Sequence, residues 1–182
     1  MARSFPWKAV AAGGAALAAL GTAVLVGGSS KKKSATPQRI ALIGDSYAVG
    51  LGPELSKLLP TFQYEGHVGV STSGWLNHTP SYAAWLPGFR PTIVIVSLGV
   101  NDGNAPDPAN YHALVQALHG IGARAVWVEP PAGVSAPAVR DAIASLGVQT
   151  VPATQAPLAS DGLHPASYGP WAREVAQVVA RA

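Results

Sequence analysis

The chain has 182 residues, of which 48% are hydrophobic and 12% charged, enough for one domain with a real core and too apolar to be disordered through most of its length. It contains no cysteine, which excludes disulfides, zinc–thiolate sites, a cysteine nucleophile and a lipid-anchored lipoprotein. The net charge of +3 is unevenly spread: residues 1–39 hold six basic residues and no acid, while residues 40–182 hold six basic residues and all nine acids. The body of the chain is therefore mildly acidic, which argues against a nucleic-acid partner, whose binding needs a basic patch on the folded domain.

Taken in order, the first element is the uncharged run Ala9 to Gly28, preceded by Arg3 and Lys8 and closed by Ser29-Ser30-Lys31-Lys32-Lys33. A helix of about 20 apolar residues crosses the hydrocarbon layer. Residues 1–30 are accordingly expected to form an N-terminal hydrophobic helix, either a retained membrane anchor or a cleaved signal segment. Three lysines directly after the run favour the anchor, whereas the small residues Val26-Gly27-Gly28 leave room for cleavage. Positive charge at both ends gives the positive-inside rule no clear vote on orientation. Residues 31–38 read as a basic linker, and residues 39–182 as the domain.

Within the domain, strands and helices alternate. Ile40-Ala41-Leu42-Ile43 is a short apolar run ending at Gly44, and Tyr47 to Leu59 reads as the helix that follows. Phe62 to Val70 contains a second strand, and Gly69 to Trp75 reads as a small-residue loop. Thr92 to Leu98 is the strongest strand, β-branched and apolar on both faces, as a central parallel strand must be. Asp107-Pro108 starts a helix with Tyr111, Leu114, Val115 and Leu118 on one stripe. Ala125 to Val128 is a strand, Val139, Ile143 and Leu146 mark a helix, and Val148 to Val151 is a last strand. The final helix is expected to be capped by Ser167, with Tyr168, Trp171, Val175, Val178 and Val179 on one stripe. Such alternation implies an α/β fold with a mostly parallel sheet, whose active sites gather at the carboxyl ends of the strands.

Four stretches sit where that rule puts chemistry. Gly44-Asp45-Ser46 ends the first strand and opens a helix, whose first amides are unpaired and can face an anion. Alone, Ser46 reads equally well as a helix cap. The loop Gly69 to Trp75 follows the second strand, and Gly99-Val100-Asn101-Asp102 follows the central one. An asparagine there can donate an N–H to an oxyanion, although Gly-Asn-Asp is also ordinary turn chemistry. Asp161-Gly162-Leu163-His164-Pro165 precedes the last helix. An Asp three residues before a His can hold the imidazole by Nδ1, leaving the other nitrogen to take a proton from a serine. Trp75, beside Gly74, is a candidate for lining the acyl or sugar side of the site, or equally a core aromatic.

In this order the four stretches resemble the blocks of the SGNH (GDSL-like) hydrolase family, matched by Gly44-Asp45-Ser46, by Ser73-Gly74, by Gly99-x-Asn101-Asp102 and by Asp161-x-x-His164-Pro165. The resemblance implies a flavodoxin-like three-layer α/β/α sandwich with a five-stranded parallel sheet, and esterase or lipase activity without a cofactor or metal. It further implies Ser46 as nucleophile, His164 as general base and then acid, and Asp161 as the group orienting His164. The oxyanion would sit among the N–H of Ser46, the N–H of Gly74 and the side chain of Asn101, with Asp45 and Asp102 bracing the loops. Three functions follow from it. The first is a monomeric esterase of O-acyl (acetyl) groups on a carbohydrate or cell-envelope polymer, tethered to the membrane or secreted to the envelope. The second is a lysophospholipase or thioesterase of the same fold, and the third a non-catalytic membrane-tethered binding domain.

Overall fold

A computed structural model describes residues 38–182; the expected N-terminal hydrophobic helix, and the anchor or signal segment and basic linker read there, lie outside the described residues. Five strands, β1 (Ile40–Gly44), β2 (Phe62–Gly66), β3 (Ile93–Ser97), β4 (Arg124–Val128) and β5 (Gln149–Val151), alternate with helices α1 (Ser46–Ser56), α2 (Thr72–Tyr82), α3 (Leu86–Phe89), α4 (Pro108–Gly120), α5 (Pro137–Ala144) and α6 (Gly169–Val179). All strand pairs are parallel and the spatial order is β2-β1-β3-β4-β5. This is the flavodoxin-like order, in which chain direction across the sheet reverses between β1 and β3.

The layers follow from burial. Every residue of β1 and β3 is buried, because a central parallel strand is covered on both faces. On one face, Ile40, Leu42, Ile93, Ile95, Val126 and Val128 pack with Tyr47, Leu51 and Leu55 of α1 and with Trp171, Val175 and Val179 of α6. Alternation along the strands sends Ala41, Ile43, Val94 and Val96 to the opposite face. There Trp127 stacks on Tyr111 of α4, with ring centroids 5.1 Å apart.

The structure differs from the sequence-based reading at several helix ends and in two whole elements, α2 and the short α3. Helix α1 stops at Ser56, short of Leu59, and its cap is Asp45, whose carboxylate accepts from the Tyr47 amide; Ser46 is therefore the first helical residue and not the cap. Helix α5 ends before Leu146. Helix α6 begins at Gly169 with Tyr168 at the cap position and no side-chain cap, so Ser167 does not cap it. Of the stretch Gly69 to Trp75 read as a loop, the part up to Ser71 is irregular, and from Thr72 onward it is the start of α2, capped by Ser71. Among the described residues no helix is long and apolar enough to cross a membrane.

Candidate active site

Strand β1 delivers Ser46 to the switch point. Gly44, its last residue, lies so close to β3 that a Cβ there would stand 2.1 Å from the Ser97 carbonyl oxygen; only glycine fits this approach. The next amide, of Asp45, then donates to the same Ser97 oxygen at 3.0 Å. Ser46 thus stands at N1 of α1, where the backbone N–H has no intrahelical partner.

His164 arrives from the loop before α6. Its Nε2 lies 2.9 Å from Ser46 Oγ, and its Nδ1 lies 2.8 Å from Asp161 Oδ2. Three devices hold this loop in place. Gly162 adopts φ +65°, a left-handed turn that glycine takes at no steric cost. That turn lets Asp161 Oδ1 accept from the amides of Leu163 and His164 at 2.9 and 3.0 Å. Finally, the Tyr47 hydroxyl donates to the Leu163 carbonyl at 3.0 Å, tying the loop to α1, and the Tyr47 ring meets the His164 ring edge-on at 5.6 Å. Hydrogen bonds from the His164 ring, and then from the His164 and Leu163 amides, hold the Asp161 carboxyl down at about 2 although it is exposed to solvent. An imidazole oriented by a carboxylate on Nδ1 presents Nε2 as a base to the serine hydroxyl.

Asn101 comes from the loop after β3. Its Nδ2 donates to the Val70 carbonyl at 3.0 Å and to Asp45 Oδ2 at 3.3 Å, the longer bond being the weaker. Asp45 is fully buried. Burial pushes its carboxyl up to about 7, against the pull of the Tyr47 amide, and the nearby Asp102 charge adds to the rise.

Gly74 lies in the first turn of α2, where its N–H donates to Ser71 Oγ at 3.0 Å as part of the helix cap. Trp75 is fully buried, packed beside the stacked rings of His67 and Tyr82 with centroids at 5.7 and 5.5 Å, and so is the core aromatic that the sequence equally allows.

Asp102 braces the loops around the site. Its carboxylate accepts from the Thr72 amide at 2.7 Å, from Thr72 Oγ1 at 2.6 Å and from the Tyr111 hydroxyl. It thereby fastens the start of α2, the loop after β3 and helix α4 to one another. Beside Asn101 opens a cleft of about 270 Å3, bordered by the Ser71–Ser73 segment, Asn101, Asp102, Asp107 and Asn110. Among the described residues no group of three or more His, Asp or Glu side chains is placed to hold a metal ion.

No family model matches the sequence, and neither does any curated protein. Solved structures do match. A GDSL-like lipase from Bacteroides thetaiotaomicron superposes with a TM-score of 0.59 at 15% identity, over 79% of this chain and 87% of that one. A lipase from a goat rumen metagenome gives 0.60 at 11% identity, over 78% and 97% of the two chains. An acetyl xylan esterase gives 0.57 at 12% identity, over 79% and 98%. Residues 38–182 thus have the α/β fold of GDSL-like lipases and acetyl xylan esterases.

Proposed function

We propose that the domain is a serine esterase that hydrolyses carboxylic esters through an acyl-enzyme. The observation that carries this reading is the continuous chain of contacts from Ser46 Oγ to His164 Nε2, and from His164 Nδ1 to Asp161, across 2.9 and 2.8 Å. Ser46 Oγ attacks the ester carbonyl while His164 takes its proton. The tetrahedral oxyanion rests on the Ser46 N–H and on Asn101 Nδ2, and His164 returns the proton to the departing alcohol. A water then enters, gives a proton to His164 and attacks the acyl carbonyl; as the acid departs, His164 returns that proton to Ser46 Oγ.

The substrate in this reading is a small O-acyl group, acetyl above all, on a carbohydrate or cell-envelope polymer. The polar cleft next to Asn101 supports it, as does an acetyl xylan esterase among the structures of the same fold. The apolar run Ala9 to Gly28 would tether the domain to a membrane, or direct its secretion, beside such a polymer.

The test is labelling of the purified full-length chain by a fluorophosphonate probe, with Ser46→Ala alongside. A single adduct located at Ser46 and absent from the variant is expected. A folded wild-type protein that takes no label at Ser46 has no activated serine, and the esterase reading is then wrong.

A further inference from the structure

The cleft beside Asn101 is built from three separate segments: the cap and first turn of α2 (Ser71 and Ser73), the loop after β3 (Asn101 and Asp102) and the start of α4 (Asp107 and Asn110). Its volume of about 270 Å3 lies just below the roughly 300–1,000 Å3 usual for small-molecule sites, so it suits one compact unit rather than a long acyl chain. The four hydroxyls, two side-chain amides and two carboxylates lining it offer both donors and acceptors. Its remaining walls are Ala105 and Pro106, and no lysine, arginine or histidine borders it.

The cleft shares Asn101 with the reacting centre, since Asn101 Nδ2 reaches Asp45, the residue beside the nucleophile, at 3.3 Å. Neither Ser46 nor His164 borders the cleft, so a group seated there connects to the reacting centre past Asn101. Asp102 is fixed by Thr72 and Tyr111, and it keeps the wall of the cleft rigid. Asp107 is exposed, and its Oδ1 accepts from the Ala109 amide at 3.0 Å, which leaves the second carboxylate oxygen to face a ligand.

Building on the esterase reading, we propose that this cleft binds the hydroxyl-bearing leaving group of the substrate. Its two carboxylates select neutral or amine-bearing sugars against acidic ones such as uronic acids. The hydroxyls of a neutral sugar donate to Asp107 and accept from Asn110, whereas a uronate carboxylate meets two like charges with no cation to offset them.

Steady-state kinetics of the full-length chain on an acetylated neutral xylo-oligosaccharide and an acetylated galacturonate oligosaccharide test this. Asp107→Asn removes the charge while asparagine still caps α4. It is expected to raise kcat/KM for the galacturonate substrate relative to the neutral one by roughly three- to tenfold, an effect that shrinks in 1 M salt. Asn110→Leu is expected to raise KM for the neutral oligosaccharide by roughly five- to tenfold. Thermal melting of both variants separates these changes from loss of fold. An unchanged preference in Asp107→Asn, together with an unchanged KM in Asn110→Leu, overturns the subsite even if Ser46 is labelled by the fluorophosphonate. Absence of that labelling brings down the esterase reading itself, and the subsite with it.

Discussion

Asn101 Nδ2 donates to Asp45 Oδ2 across 3.3 Å, which links the residue preceding Ser46 to the loop at the end of β3. The link is unusual because its acceptor is a fully buried carboxyl, and burial pushes that carboxyl up to about 7. A buried carboxylate costs free energy unless its hydrogen bonds offset the lost water. Here the Tyr47 amide and Asn101 offset only part of it.

This arrangement gives folding stability a defined pH dependence. At low pH Asp45 is protonated in both the folded and the unfolded chain, and nothing is lost. As pH rises from about 4 to about 7, the unfolded chain gives up the proton while the folded one keeps it, so the folded state binds more protons and stability falls. Above about 7 both forms are ionised and the loss is complete. Asp45→Asn keeps an oxygen for the Tyr47 amide and carries no charge. Relative to wild type, it should gain stability between pH 4 and 7, on the order of 2–4 kcal/mol by the upper value, and then hold that gain. Urea midpoints measured from pH 4 to 9 check it. A difference between the two proteins that does not vary with pH would mean that Asp45 titrates normally.

Asn101 can be tested separately from the fold. Its side chain is exposed and contributes to no core, so its removal leaves packing intact. Loss of one oxyanion donor typically costs about 2.7–4 kcal/mol of transition-state stabilisation. Asn101→Ala should therefore lower kcat on a nitrophenyl ester by roughly 100- to 1000-fold, with a melting temperature close to wild type. Near-normal turnover in a folded variant would remove Asn101 from the oxyanion site and leave it as a brace between Asp45 and Val70.

How legible these features are in sequence depends on the range of the interactions behind them. The buried strands Ile40–Gly44 and Ile93–Ser97 announce themselves as short continuous apolar runs, because central parallel strands are covered on both faces. The Asp161–His164 contact is local, three residues along the chain, and the spacing permits it, although an isolated Asp-x-x-His reads as readily as a turn acid and a solvated histidine. Ser46 and His164 lie 118 residues apart, so only the family-like order of motifs brings them together on paper. Helix α2 is illegible for the opposite reason. Thr72–Tyr82 includes glycine, proline, two serines and two threonines, all weak helix formers, and the helix is held by the Ser71 cap and by the bonds from Thr72 to Asp102. The same helix draws the Gly74 amide into its cap and turns Trp75 into the core. The cleft is drawn from three segments that no local pattern connects.

The closest backbone approach in the site yields a contrast between two glycines. In Gly44→Ala the new Cβ would lie 2.1 Å from the Ser97 carbonyl oxygen and 2.8 Å from its carbon, and backbone on a central strand cannot move away cheaply. The variant should lose on the order of 3 kcal/mol or more, or fail to fold. In Gly74→Ala the nearest atoms are side-chain atoms, Val70 Cγ2 at 3.1 Å and Ser71 Oγ at 3.2 Å. Alanine there also gains helix propensity of up to about 1 kcal/mol, which offsets the crowding, so stability should stay within about 1 kcal/mol of wild type. Chemical denaturation of both variants measures the contrast. If Gly44→Ala is as stable as wild type, the end of β1 does not press against β3 in solution. The geometry that brings Ser46 alongside Asn101 would then need another cause.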